Sequence, residues 1–153
     1  MKLRPLLAKF DAIANFLQSP LLLVIRLYWG WQFAQTGWGK LTHLERTAGY
    51  FESLNIPQPK VNALMAGATE CGGGVLLALG LFARPASVPL IFTMLVAYGT
   101  ADREALTAIT SEPDKFVTAA PFLFLLASLI VLAFGPGKLS LDALLGKNQG
   151  AAK

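Results

Sequence analysis

The residues from Val61 to Phe82 form an apolar stretch that contains a single acidic residue, Glu70. A helix needs about 20 residues to cross the roughly 30 Å hydrocarbon core of a bilayer, so this stretch predicts a membrane span. An ionised side chain inside a bilayer is costly and usually faces the protein interior with a partner. The other ionisable residue deep in an apolar run is Arg26. We therefore expect Arg26 and Glu70 to pair between two neighbouring spans.

The composition of the whole chain agrees with a membrane protein. Of 153 residues, 54% are hydrophobic and 14% are charged, whereas soluble domains carry about 25% charged residues. This length predicts one domain over residues 1–153, and the scattered basic residues exclude a nucleic-acid partner. With only Cys71 and His43, the chain lacks the ligands for an iron–sulfur cluster or a bis-histidine haem, and we predict no metal site and no intrinsic cofactor.

Residues 3–17 predict an amphipathic helix before the first span. Apolar residues recur there at intervals of three and four, namely Leu3, Leu6, Leu7, Phe10, Ile13, Ala14 and Leu17. Lys2, Arg4, Lys9 and Asp11 fall on the other side. This pattern predicts an interfacial helix lying on the membrane, with packing on a neighbouring protein as the alternative.

Four spans are predicted, at about residues 20–41, 61–82, 85–106 and 116–134. Ser19-Pro20 is a typical helix start, and Gly135-Pro136-Gly137 ends the last span. A short surface helix is expected between the first two spans, and residues 138–153 form a tail with one short helical turn (Ser140 to Leu145). The predicted fold is all-α: a four-helix membrane bundle, antiparallel and up-down, with the N-terminal amphipathic interfacial helix.

The distribution of basic residues predicts the orientation in the bacterial cytoplasmic (inner) membrane. With four spans, the side holding both termini carries 7 Lys and Arg residues and the other side carries 5. The first set is Lys2, Arg4, Lys9, Arg84, Lys138, Lys147 and Lys153, and the second is Lys40, Arg46, Lys60, Arg103 and Lys115. The positive-inside rule then places both termini in the cytoplasm.

Three interpretations of the Arg26–Glu70 pair remain open. Counting residues from the predicted span ends places the two side chains roughly 7–8 Å apart in depth, within their combined reach. In the first, the pair only fixes helix registry. In the second, it lines a polar pocket with Gln35 and Lys40 for a small ligand or a quinone headgroup. In the third, Glu70 carries protons. Small residues at Gly30, Gly67, Gly73 and Gly80 predict close helix packing.

Several of these residues occur in an order and spacing that resembles the DoxX family of small four-helix membrane proteins. The matching residues are Arg26, Gly30, Gly37 and Lys40; Ile56-Pro57-Gln58-Pro59; Glu70 and Gly73; Gly80-Leu81-Phe82-Ala83-Arg84; Gly135-Pro136-Gly137; and Ser140, Leu141 and Asp142. The resemblance covers about residues 18–145. Many relatives have a histidine or another polar residue where this chain has Phe33 to Gln35.

The resemblance implies a role beside redox enzymes. Relatives resemble the DoxD subunit of archaeal thiosulfate:quinone oxidoreductase, and others associate with membrane-bound proteins of oxidative and thiol stress. The expected function is therefore an accessory subunit in quinone-linked or redox-homeostasis chemistry, with quinone as the candidate ligand and membrane redox proteins as partners. It is at most a quinone-binding subunit of an oxidoreductase. The alternatives are an assembly subunit without chemistry and a small proton-coupled transporter, and homo-oligomerisation stays open.

Overall fold

The computed structural model describes the backbone of residues 3–150 and the side chains of residues 7–146. Every regular element in this part of the chain is a helix. The helices are α1 (Leu3–Thr42), α2 (Leu44–Ser53), α3 (Pro59–Leu79), α4 (Ala83–Thr100), α5 (Arg103–Thr107), α6 (Pro113–Thr118), α7 (Pro121–Phe134) and α8 (Leu141–Gly150). The prediction of an all-α protein is confirmed. The last residues of the predicted tail (151–153) and the side chains of Lys2, Arg4, Lys147 and Lys153 lie outside the described residues.

The predicted interfacial helix and the first span form one continuous helix, α1, of 40 residues. Pro20 lies inside it. Proline lacks the N–H that would bond to the carbonyl of Phe16, but its φ angle is close to the helical value, so the helix can continue through it at a cost. At 1.5 Å per residue α1 is about 60 Å long, roughly twice the thickness of a bilayer core. The expected helix boundary at Ser19-Pro20 was wrong.

Two helices of the described chain, α1 from Leu7 onward and α3, are long and apolar enough to cross a membrane. The predicted third span is shorter than expected because α4 ends at Thr100. The predicted fourth span is divided: α7 is apolar but has only 14 residues. It begins at Pro121, which cannot donate a backbone hydrogen bond. The chain between α6 and α7 is extended at Ala119 (φ −63°, ψ 144°), which separates the two helices.

The four longest apolar helices pack side by side. The most extensive contact joins α1 to α3, and the second most extensive joins α4 to α7. Further contacts join α3 to α4, α1 to α7, and α2 to α3. The core between them consists of Phe33, Leu77, Ala83, Leu90, Met94 and Val131, with Phe124 and Leu125 against it.

Polar side chains are buried in this arrangement while large apolar ones are exposed. Arg26, Glu70, Ser87 and Ser128 are at most 2% exposed. The two serines donate to carbonyls of their own helices, Ala83 at 2.8 Å and Phe124 at 2.9 Å. On the outside, large apolar residues more than half exposed include Leu21, Val24, Trp31, Met65, Phe92 and Leu95. An apolar exterior suits lipid as the surrounding solvent.

Glycines bring α1 and α3 into backbone contact. A Cβ atom on Gly37 would lie 2.2 Å from the nitrogen of Cys71, and one on Gly74 would lie 2.5 Å from the nitrogen of Ala34. Gly30 meets the α3 backbone in the same way, with Ala78 nitrogen at 2.6 Å. Gly30 and Gly37 are two turns apart on α1, so they place one face of that helix directly against α3.

The other glycines with predicted packing roles have different neighbours. Gly67 faces side-chain atoms of Lys40 and Leu41. Gly73 faces Leu90 of α4, and a Cβ on Gly80 would clash with the guanidinium of Arg26. Gly73 therefore lies at the α3–α4 contact, whereas Gly80 makes room for a charged side chain.

Candidate functional site

Arg26 and Glu70, which the sequence analysis paired, have different partners in the structure. Arg26 is fully buried and its guanidinium donates only to backbone carbonyls. Nη1 donates to Leu77 (3.4 Å) and Ala78 (3.2 Å), and Nη2 donates to Leu139 (2.5 Å). Glu70 instead forms an ion pair with Lys40. The predicted Arg26–Glu70 pair was wrong.

The register of the antiparallel helices α1 and α3 explains the error. Gly37 lies against Gly67 and Cys71, and Gly30 lies against Gly74 and Ala78. By this register Glu70 lies opposite Thr36, about ten residues and roughly 15 Å along the helix from Arg26. That separation is about twice the one obtained by counting from the predicted span ends. Arg26 is therefore level with the end of α3.

The carbonyls that Arg26 binds include groups at a helix end. Leu77 and Ala78 are in the last turn of α3, where helix carbonyls run out of intrahelical donors. The carbonyl of Leu77 also accepts from the nitrogen of Gly80 (3.1 Å), so Arg26 is its second donor. Gly80 follows with φ +65°, which allows the chain to turn there and leaves room for the guanidinium. Leu139 belongs to the loop between α7 and α8, so Arg26 joins three parts of the chain.

Asp142 lies at the same end of the helices and also bonds to the turn after α3. We call the group of Arg26, Gly80, Ser140 and Asp142 the arginine clasp. Its carboxylate accepts from the backbone nitrogens of Phe82 (2.8 Å) and Ala83 (3.1 Å) at the start of α4. Its own nitrogen donates to the carbonyl of Gly80 (2.9 Å). Ser140 caps α8 by accepting from the nitrogen of Ala143 at 3.2 Å. These contacts fasten the C-terminal segment to the turn between α3 and α4.

The Lys40–Glu70 pair lies beside a cavity at the opposite end of the helices. The side chain of Glu70 is 3% exposed and that of Lys40 is 28% exposed. The cavity has a volume of about 370 Å³. Most of its wall is apolar, from Phe33, Phe51, Met65, Phe92, Met94 and Phe124 among others. Lys40, Glu70, Thr36, Thr69, Asn62 and Asp102 supply its polar part.

Gln35 does not line this cavity, although it was predicted to belong to the pocket. It is exposed on α1, whereas Phe33, Thr36 and Lys40 line the cavity. Those three are spaced by three and four residues and share one helix face. At 100° per residue Gln35 lies about 160° from Phe33, on the other side of the helix. Arg26 is also absent from the lining, so of the four predicted residues the cavity unites Lys40 and Glu70.

Sequence reasoning missed the contribution of α2 and α4 to the cavity. Tyr50, Phe51 and Leu54 come from α2 and the residue after it, and Val96, Ala97 and Thr100 come from the end of α4. The recurrence of Leu44, Ala48, Phe51 and Leu54 at helical spacing predicted only a short surface helix there. Nothing in that pattern says which face of α2 covers α3, so it could not locate the cavity.

No group of three or more His, Cys, Asp or Glu side chains in the described part of the chain is arranged to hold a metal ion. The side chain of Cys71 is reduced and partly exposed. The nitrogen Nδ1 of His43 lies 3.1 Å from Thr42 Oγ1 and 3.2 Å from the carbonyl of Gly39, at the exposed end of α1.

The sequence profile of the DoxX family matches residues 21–103, which include Arg26, Lys40 and Glu70. The chain belongs to the DoxX family. This confirms the resemblance seen in the sequence.

Two relatives match this DoxX protein over most of its length. "Uncharacterized membrane protein Rv3486" of Mycobacterium tuberculosis is 33% identical over 144 residues, which cover 86% of this chain and 85% of the relative. "Inner membrane protein YphA" of Escherichia coli is 29% identical over 126 residues, covering 80% of this chain and 88% of the relative. No solved structure matches the chain. The DoxX protein is thus a helical membrane protein whose relatives support an inner-membrane location.

Proposed function

We propose that this DoxX protein binds a quinone-type molecule in the Lys40–Glu70 cavity and serves as an accessory subunit of quinone-linked or redox-homeostasis chemistry in the inner membrane. The cavity is the observation that carries the proposal. It combines a mostly apolar wall with one partly buried ion pair, the composition typical of sites for small amphipathic ligands. Its volume of about 370 Å³ also lies within the usual range of ligand pockets.

The polar groups of the cavity suit a ligand with both hydrogen-bond donors and acceptors. Lys40 has three N–H donors for a carbonyl oxygen, and the carboxylate of Glu70 can accept from a hydroxyl. A quinone offers carbonyl oxygens and its reduced form offers hydroxyls, so both states find a partner. A headgroup with a full negative charge is disfavoured, because Glu70 and Asp102 line the same space.

The position of the cavity suits a ligand that is dissolved in the bilayer. Met65 and Phe92 line it and are nevertheless 61% and 67% exposed, so they lie at its mouth on the outside of α3 and α4. A ligand arriving from the lipid would enter between these two helices. Aromatic rings of Phe33 and Phe124, whose centroids are 4.6 Å apart, form part of the inner wall.

The proposal includes four crossings with both termini in the cytoplasm. The crossings are α1, α3, α4 and the pair α6–α7. This pair of short helices spans about 22 residues, or roughly 33 Å if it is helical throughout. Two hydrogen bonds support this arrangement, because they join the start of the first crossing, the end of the second and the segment after the last at one end of the helices. The nitrogen of Lys138 donates to Ser19 Oγ (3.2 Å), and the nitrogen of Asp142 donates to the carbonyl of Gly80 (2.9 Å).

Ligand-induced stabilisation tests the binding proposal. Purified full-length protein is heated in detergent with short-chain ubiquinone and menaquinone analogues, and unfolding is followed by light scattering or fluorescence. A ligand at a hundred times its Kd stabilises a protein by about 2.7 kcal/mol, so the wild-type protein should unfold several degrees higher. Glu70→Gln should lose most of this shift. Glu45→Gln, an exposed acid outside the cavity, is the matched control.

The outcomes separate the proposal from its alternative. No quinone-dependent shift in the wild-type protein, or an equal shift in Glu70→Gln and wild type, would overturn quinone binding at this site. An assembly subunit without chemistry is the second candidate. In that case Glu70→Gln leaves the activity of the surrounding complex unchanged, whereas Gly73→Leu, which fills the space at Leu90, prevents assembly.

A further inference from the structure

The face of α1 directed away from α3 carries an uninterrupted heptad pattern. Its residues alternate at intervals of three and four along 32 residues of one helix. They are Leu7, Phe10, Ala14, Leu17, Leu21, Val24, Tyr28, Trp31, Gln35 and Trp38, and we call them the outer seam. Intervals of three and four sustained over several heptads are the pattern of helices that pair in coiled coils.

No described residue covers the outer seam. Its eight large apolar side chains are each between 54% and 68% exposed, and Ala14 and Gln35 are exposed as well. The opposite face of the same helix has its own seam, with Arg26, Gly30, Phe33 and Gly37 buried against the rest of the protein. One face of α1 is therefore occupied within the chain, and the other is free along its whole length.

The outer seam continues past the part of α1 that the other helices contact. Every residue from Leu7 to Gln18 is exposed. This segment extends about 18 Å along the helix axis. A straight helix of this length cannot have both halves in the hydrocarbon layer. While α1 stays straight, lipid tails can cover the seam from Leu21 to Trp38 but not the seam from Leu7 to Leu17.

Gln35 gives the seam a polar position within the membrane part. Its side-chain amide has two donors and an acceptor, and none of them has a hydrogen-bond partner in the described structure. In lipid such a group is costly unless another helix satisfies it. Counting the heptads places Gln35 at an a position, where a single polar residue in a coiled coil selects the register and the number of strands.

We propose that the outer seam binds a second copy of this chain, so that two α1 helices form a parallel coiled coil. In a parallel pair with equal register the two Gln35 side chains face each other, and each amide can donate to the other. The same pairing covers the apolar residues beyond the membrane. Pro20 falls at a flanking g position and leaves the seam clear, which agrees with the continuity of α1 through that residue.

Cysteine cross-linking of the full-length protein in native membranes tests the pairing. In a Cys71→Ser background, Ala14→Cys places a thiol on the outer seam, and Ala12→Cys places one two residues away on the opposite side of the helix. The two substitutions are chemically identical and both positions are exposed. A mild oxidant should convert Ala14→Cys to covalent dimer at least about fivefold more than Ala12→Cys, because only seam positions approach within disulfide distance. Equal dimer yields at the two positions, or no dimer at position 14, would overturn the proposal.

Substitution of Gln35 tests the membrane part of the seam separately. Interhelical hydrogen bonds in bilayers contribute about 0.6–2 kcal/mol, so Gln35→Leu should lower the dimer association constant roughly threefold to thirtyfold. Förster transfer between labelled copies in vesicles measures this constant. Gln35→Asn keeps an amide and should retain most of the association. An unchanged constant in Gln35→Leu contradicts the pairing of the two amides.

The same variants distinguish a second copy from a membrane surface. If the segment from Leu7 to Gln18 bends at Pro20 and lies on the bilayer, Ala14→Cys stays monomeric and becomes protected from a water-soluble thiol reagent while Ala12→Cys reacts. Protection without cross-linking would therefore refute the coiled coil and identify the lipid surface as the partner. These readouts do not depend on a ligand in the Lys40–Glu70 cavity.

Discussion

The two buried charges of this DoxX protein, Arg26 and Glu70, occupy opposite ends of the same helix contact and are stabilised in different ways. Arg26 has no acidic partner within hydrogen-bonding distance and donates to three backbone carbonyls in a closed clasp. Glu70 has a counter-ion, Lys40, whose side chain is 28% exposed, and both line a cavity. A charge bound to the backbone stabilises the fold, whereas a charge paired beside a cavity can also meet a ligand.

The largest loss of stability should follow removal of the guanidinium of the arginine clasp. Arg26→Met leaves the carbonyls of Ala78 and Leu139 without donors, and each buried unsatisfied group costs about 1–3 kcal/mol. We expect a loss of roughly 4 kcal/mol in the free energy of unfolding, measured by denaturant titration in mixed micelles. Arg26→Lys, which keeps the charge but fewer donors, should lose less. If Arg26→Met unfolds like the wild-type protein, the clasp does not hold the fold.

The Lys40–Glu70 pair should respond unequally to the loss of either partner. Lys40→Met leaves a carboxylate that is 3% exposed without a counter-ion, and we expect roughly 3 kcal/mol of destabilisation. Glu70→Gln leaves a lysine that can reach water, so about 1 kcal/mol should be lost. Thermal unfolding of the two variants, with Lys60→Met at an exposed pair as the control, checks the asymmetry. Equal losses would show that Lys40 cannot reach water when Glu70 is lost, so that the cavity end excludes water as the arginine clasp does.

The glycine contact between α1 and α3 should tolerate almost no added side-chain volume. Gly37→Ala places a methyl group 2.2 Å from the nitrogen of Cys71, and overpacking of this kind costs about 2 kcal/mol. Gly39→Ala, on the same helix with nothing within 4 Å, should be neutral or slightly stabilising. The difference in unfolding temperature between these variants measures how rigidly the register separates Arg26 from Glu70. A neutral Gly37→Ala would mean that α1 and α3 can move apart freely.

The smallest effect concerns the outer part of the clasp. Asp142→Asn keeps one oxygen acceptor for Phe82 and Ala83 but loses the charge and the second acceptor. We expect about 0.5 kcal/mol of destabilisation, and faster proteolysis of the C-terminal segment in detergent. Asp114→Asn, on the exposed helix α6, serves as the control. Unchanged proteolysis would show that Arg26 and the backbone donors of Lys138 and Asp142 hold this segment without the carboxylate.

The candidate site could be predicted in part. Glu70 stood out because a lone acid in an apolar span needs a partner. Lys40 was named as a residue of the same pocket, but the partner was expected to be Arg26. Arg26 stood out for the same reason, but its partners are backbone carbonyls, which have no signature in the sequence. Gln35 was assigned to the wrong face of α1, since a list of polar residues near a span end does not give their angular positions.

The sequence by itself determined the helical class, the membrane setting, the family and the residues whose burial needs explanation, because these follow from composition, apolar runs and the order of small residues along the chain. Only the tertiary structure decided which buried charge meets which partner. Gly37 and Gly74 bring α1 and α3 into backbone contact and fix their antiparallel register. A shift of a few residues along that contact changes the partner of every side chain within it, and local sequence does not encode that shift.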